Sequence, residues 1–127
     1  MAQQDYQTLR PELTLTFIID GGGSVITTGI KGDLQIPFAC TITGWTALAD
    51  QSGSIVVSVW KDTYANFPPT IADVIMSGTP VTITTATKGQ NLAVTPVTVA
   101  EGDILRFNVD SVSTVTRVLV SLTVVKT

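Results

Sequence analysis

From residue 13 the chain alternates apolar and polar side chains, with Leu13, Leu15, Phe17 and Ile19 on one side and Thr14, Thr16, Ile18 and Asp20 on the other. A period of two over that length predicts a half-buried β-strand. Gly21-Gly22-Gly23 predicts its end, because glycine is costly to order in a strand and admits the positive φ of a turn. A turn predicted at Gly32-Asp33 leads into a second alternating set, Leu34, Ile36 and Phe38. Pro37 predicts an edge position or a bend there, having no N–H for a ladder. Residues 39–49 continue as strand, with Trp45 and Leu48 as bulky members, and Asp50-Gln51-Ser52-Gly53 has the composition of a turn.

Residues 54–61 predict the most buried strand. Ile55, Val57 and Val59 face one way, Val56 and Trp60 the other, and a strand apolar on both faces belongs inside a packed sheet. The period then breaks at Pro68-Pro69-Thr70. Residues 71–76 suit one helical turn, with Thr70 as N-cap and Asp73 at the capping-box position usually held by Glu or Gln. Alternation resumes over residues 80–87, followed by a turn predicted at Lys88-Gly89 and a weaker strand over 90–95. Val97 and Val99 precede a tight turn at Ala100-Glu101-Gly102-Asp103. Ile104, Leu105, Phe107 and Val109 mark the next strand, residues 110–114 a turn, and residues 115–125 the last strand.

Eight or nine strands at intervals of roughly 10 to 15 residues, with one short helix at most, predict an all-β antiparallel sandwich, jelly-roll-like. No fixed-period repeat is evident, which argues against a solenoid or propeller. Residues 1–12 are polar and without period, and read as an N-terminal arm ahead of one β-sandwich domain over residues 13–127.

Composition sharpens this picture. Charged residues are 13% of the 127-residue chain against 44% hydrophobic, while about 25% charged is usual. So sparsely charged a surface suits packing against copies of itself or a larger assembly. Seven basic residues are scattered and the net charge is −3, so no basic stripe is present to neutralise phosphates and nucleic acid is not an expected partner. Histidine is absent, which removes Ser-His and Cys-His catalysis and histidine-ligated metals. The single cysteine, Cys40, forms no internal disulfide and sits in an apolar run as a small buried hydrophobe. No stretch approaches 18 apolar residues and the first residues lack the pattern of a signal peptide, so neither membrane insertion nor export is expected. The expected place is the cytoplasm, or a particle that leaves it.

Candidate chemistry is thin. The glycine run after the first strand is followed by Ser24-Val25-Ile26, without the Gly-Lys-Ser/Thr ending or the helix of a phosphate loop. Most of the ten carboxylates fall at predicted strand ends, where aspartate serves turns. They lack the close spacing of a calcium loop. No catalytic residue, metal ligand or cofactor site is predicted. The sharper candidates for partner or glycan contact are Trp60, Lys61, Tyr64, Asn66 and Phe67, where flat rings and polar groups could form a platform for sugar. The competing assignment for the rings is closure of the end of the core. In the arm, Gln4, Tyr6, Leu9 and Arg10 are the candidate assembly contacts.

Several runs carry a family resemblance: Phe17-Ile-Ile-Asp-Gly-Gly-Gly-Ser24, Thr28-Gly-Ile-Lys-Gly-Asp-Leu-Gln-Ile-Pro-Phe-Ala-Cys-Thr-Ile42, and Ala49-Asp-Gln-Ser-Gly-Ser-Ile-Val-Val57 continuing to Trp60-Lys-Asp-Thr-Tyr-Ala-Asn-Phe-Pro-Pro69. With Gly102-Asp-Ile-Leu-Arg-Phe-Asn-Val-Asp110 and Thr116-Arg-Val118, the chain resembles a small β-sandwich domain of tailed bacteriophage virion proteins, found at the ends of fibre-like proteins or as stand-alone decoration-type products. The resemblance spans nearly everything after Leu13 and brings no catalytic residues with it. It implies a non-enzymatic virion component made in the host cytoplasm, foremost a capsid decoration or cement protein. The alternative is a tail-fibre or tail-tip module binding host-surface glycans. The partners it implies are the chain itself, as a homo-oligomer with a trimer expected from capsid and fibre symmetry, and other virion proteins such as the major capsid protein.

Overall fold

The computed structural model describes residues 11–127. The predicted arm contacts Gln4, Tyr6, Leu9 and Arg10 lie outside them. Eight strands follow in chain order: β1 (Glu12–Asp20), β2 (Gly29–Gln35), β3 (Cys40–Asp62), β4 (Val74–Ile75), β5 (Val81–Asn91), β6 (Val97–Val99), β7 (Ile104–Ser113) and β8 (Arg117–Lys126). All pairings are antiparallel.

The long strand β3 organises the fold, because its two halves belong to different layers. Its residues 40–49 pair with β8, which in turn pairs with β1. Its residues 54–62 pair with β7, which in turn pairs with β2. On the opposite side of β3, β5 does the same: residues 88–91 pair with the first half and residues 81–83 with the second. The layer orders are therefore β1-β8-β3-β5 and β2-β7-β3-β5, the two four-stranded layers of a jelly roll with two strands shared between them. Short β6 and β4 extend the first and second halves of β3.

Between the layers, Val118, Val120, Leu122 and Val124 of β8 and Cys40, Ile42 and Ala47 of β3 oppose Leu105, Phe107 and Val109 of β7 and Ile55, Val57 and Val59 of β3. All are essentially removed from solvent, and each large side chain buried this way stabilises the fold by about 1.5–3 kcal/mol. Phe17 of β1 stacks on Phe107 of β7 across the sandwich, ring centroids 4.4 Å apart. The alternation read from sequence thus assigns these inward faces correctly.

Four predicted turns are corrected. Asp50-Gln51-Ser52-Gly53 lies inside β3, at the corner where it passes between layers, and shifts register without ending the strand. There Asp50 accepts hydrogen bonds from the backbone N–H groups of Thr116 (3.2 Å) and Arg117 (3.0 Å) and from the Thr116 hydroxyl, so the polar residues fasten one crossing to the next. Lys88-Gly89 lies inside β5, whose own crossing over residues 84–87 folds back far enough that a Cβ on Gly89 would stand 2.2 Å from the Thr82 carbonyl oxygen. Of the strand expected over residues 90–95, only residues 90–91 are strand, as the end of β5, and residues 92–95 are loop. Gly32-Asp33 lies inside β2 at a bulge, where a Cβ on Gly32 would come within 2.7 Å of the Phe17 ring. Residues 110–113, also expected to turn, extend β7.

Local chemistry elsewhere follows the sequence. Asp20 accepts from Gly22 N–H (2.8 Å) and Asp103 from Ala100 N–H (3.0 Å) at their turns. Ile71–Asp73 forms one 3₁₀ turn, with Thr70 N–H donating to Asp73 at 2.8 Å, so Asp serves where Glu or Gln is usual. The layer crossings at residues 21–28, 50–53, 84–87 and 114–116 gather at one end of the sandwich. Gly21 N–H donates to the Thr116 carbonyl and Ile26 N–H to that of Val115, while Thr85 N–H donates to the Ser54 hydroxyl. The longer connections, residues 63–80 and 92–103, occupy the other end.

Candidate functional site

The predicted contact residues lie where β3 leaves the second layer. Along β3, residues 55, 57 and 59 point into the core, so Ser58 and Trp60 stand on the outer face. Trp60 is nonetheless buried, at 8% exposure, between its cross-strand neighbours Arg106 and Val74. Its indole Nε1–H has no hydrogen-bond partner among the described residues. The chain then turns: Thr63 N–H donates to the Asp62 carboxylate at 2.8 Å, Asn66 N–H to the Thr63 hydroxyl at 3.2 Å, and the Asn66 amide reaches Asp62 at 3.4 Å. This loop returns over the sheet, placing the Phe67 ring 5.1 Å from the Arg106 guanidinium carbon, while Pro69 is buried.

Arg106 is in turn held by Asp33 of the neighbouring strand β2 through two hydrogen bonds, Nε at 2.7 Å and Nη2 at 3.0 Å. These bonds raise its already high pKa and fix a planar cation under the Phe67 ring. Further along the same outer face, Asn108 donates to Asp110 at 2.7 Å and the Ser58 hydroxyl also bonds Asp110. Lys61 lies 3.7 Å from Asp103.

The five predicted residues therefore do not form one platform. Trp60 serves packing. Tyr64, at 76% exposure, and Phe67, at 46%, face solvent, with Asn66 beside them and Lys61 engaged by Asp103. The sequence had not singled out Arg106, Asp33, Asn108 or Asp110. Their outward parity on β2 and β7 was readable, but their pairing depends on a register set by the Gly32 bulge.

A second surface, the outer face of the first layer, carries very little charge. Two cross-strand rows define it: Thr16–Ser121–Thr46–Gln90 and Ile18–Leu119–Leu48–Lys88. Ile18 is 56% exposed and Leu48 48%, with Leu92 nearby also exposed. Two shallow depressions of about 540 and 420 Å³ cross this face, sharing Thr46 and Gln90. The first begins at Glu12 and Thr14, and the second ends at Lys88.

Among the described residues no three potential metal-ligating side chains come together, and no helix is long and apolar enough to cross a membrane. The Cys40 thiol is fully buried, and burial raises its pKa. No protein-family model, curated protein or solved structure matches the chain.

Proposed function

We propose that this protein is a non-enzymatic structural component of a tailed-bacteriophage virion, a decoration or cement protein that attaches to the shell through its N-terminal arm and outer β faces. The observation that carries the reading is the outer face of the first layer, a broad surface of threonine, leucine and isoleucine with charge only at its margins. Apolar side chains left exposed in a contiguous patch mark a surface for a partner. The resemblance of residues 17–118 to virion proteins supplies the kind of partner: other copies of the chain and the major capsid protein. Neither a cofactor nor a nucleic acid enters the reading, and the place of action is the virion. Locating the protein's density in an intact particle tests it directly, and density at the tail tip alone refutes the shell assignment. Removing residues 1–11 should abolish attachment while the fold survives, and full decoration by the truncated protein would refute the role of the arm.

A second reading, a tail-fibre or tail-tip module binding host-surface glycans, is favoured by one observation. Exposed Tyr64 and half-exposed Phe67 stand beside a polar row of Arg106, Asp33, Asn108 and Asp110. Flat apolar contact with orienting polar groups suits a sugar ring. Tyr64→Ala should then remove adsorption to host cells without changing the circular dichroism spectrum, and unchanged adsorption refutes the reading.

A further inference from the structure

The outer face of the first layer has a charge arrangement that fits a copy of itself. At one corner stands Glu12, on edge strand β1; at the diagonally opposite corner stands Lys88, on β5. Asp20 and Arg117, exposed cross-strand neighbours of opposite charge, stand at the end of the face beyond Ile18 and Leu119. Glu12 and Lys88 are both exposed, and among the described residues neither has an ion-pair partner within 4.0 Å. Three strand spacings of ~4.8 Å and six residues of ~3.3 Å put the two corners roughly 25 Å apart. The shallow depressions run along this diagonal, and Leu48, Leu119 and Ile18 fill one side of it without a charge.

We propose that this face is a twofold interface between two copies of the chain, in which Glu12 of each copy meets Lys88 of the other across an uncharged centre. In a closed pair every contact occurs twice, with residue i on j and j on i. When two such faces are laid together about an axis perpendicular to the Glu12–Lys88 diagonal, each carboxylate comes opposite an ammonium group at both ends at once. The strands of the two copies then cross steeply, toward the orthogonal class of sheet packing. Three strands of about nine residues, with the four residues of β5 and the three of β6 that border β3, present roughly 550 Å² in projection, of the same order as the ~800 Å² that each partner buries in a standard stable interface. Charge at the rim and its absence at the centre match interface anatomy. The inference rests on the reading of the outer β faces as assembly surfaces, and names a twofold pair in place of the threefold set expected from particle symmetry.

Sedimentation equilibrium of the full chain up to about 100 μM, above the micromolar end of such affinities, should give twice the 13.4 kDa of one chain. Leu48→Lys, at a half-exposed position that tolerates charge in the isolated fold, should give a monomer with an unchanged circular dichroism spectrum. Glu12→Lys and Lys88→Glu should each weaken pairing about tenfold, and the two together should restore it to within about threefold of the parent. A monomeric or trimeric parent, a Leu48→Lys dimer, or a double reversal no tighter than the single ones would overturn the proposal. Particle binding is scored separately. A monomer that still decorates particles refutes the pairing and leaves the virion reading standing; a dimer that binds no particle does the reverse.

Discussion

Adding one methyl group at Gly53 should cost this protein about 3 kcal/mol, whereas the same change at Gly78 should cost nothing. Gly53 sits at the corner of β3, and a Cβ built there would stand 2.2 Å from Thr114 Oγ1, 2.4 Å from the Ser113 carbonyl oxygen and 2.9 Å from Val115 Cγ2. The serine oxygen is backbone and cannot rotate away. Relieving such a clash by shifting packed chain costs about 1–3 kcal/mol. The same shift disturbs two bonds that tie the crossings together, from the Thr114 hydroxyl to the Ser52 carbonyl at 2.7 Å and from the Gln51 amide to the Thr114 carbonyl. At this exposed corner each contributes about 0.5 kcal/mol, the low end for a hydrogen bond. Neither glycine has a positive φ, so backbone strain does not confuse the comparison, and Gly78 has nothing within 4 Å of its would-be Cβ. With an unfolding entropy of ~2.1 cal/mol/K per residue over the 127 residues, Gly53→Ala should lower the melting temperature by about 11 °C. Gly78→Ala should leave it unchanged or raise it slightly through the unfolded chain's reduced freedom. Thermal and urea unfolding followed by circular dichroism measure both. A Gly53→Ala protein melting within about 3 °C of the parent would refute the close contact between the crossings of β3 and β7–β8.

Other predictions concern individual side chains. The hydrogen bond from the Thr116 hydroxyl, with the N–H groups of Arg117 and Thr116, holds the Asp50 pKa below its ordinary 3.8. Folding thus favours the ionised form, and this contribution is complete above pH 3.8 and lost as pH falls through the lowered value. Acid titration of stability should therefore fall less steeply below pH 4 for Asp50→Asn than for the parent, and parallel curves would contradict the assignment. Cys40 should resist a thiol reagent in native protein and react at the rate of unfolding, since its sulfur is buried and its pKa raised. Fast native labelling would contradict this. Arg106→Lys should cost about 1–2 kcal/mol in urea unfolding, because lysine keeps the charge but loses the paired bonds to Asp33 and the planar contact with Phe67.

The strands were legible because one face of each is buried, and burial on one face writes a period of two into the sequence. Val118, Val120, Leu122 and Val124 alternate without a break, and so do Ile55, Val57 and Val59. What misled was the meaning of glycine and polar clusters. Asp50-Gln51-Ser52-Gly53 marks a place where a strand bends and Lys88-Gly89 follows directly on another, yet the hydrogen bonding of each strand continues to either side of its bend. Composition registers the change of direction and is blind to the ladder. The site was half legible for a similar reason. Trp60 has the outward parity of an exposed ring, but Phe67, seven residues on, returns to cover its neighbour Arg106, and that return path is a property of the folded chain. The exposure of Tyr64 and Phe67 agreed with their position beyond the last alternating residue.

The place of β8 in the first layer also dictates an order of events during synthesis. It lies between β1 and β3, so among the described strands the one that leaves the ribosome last is needed to join the earliest one to its sheet. Translation adds about 5–20 residues per second, and for that interval β1 and the first half of β3 each present an open edge where β8 will insert. Folding of the unit therefore waits on its final ten-residue strand, a route dominated by distant pairings and correspondingly slow. A stop codon just before residue 117 should yield insoluble chains, while deleting the residues ahead of β1 should leave the sandwich able to close.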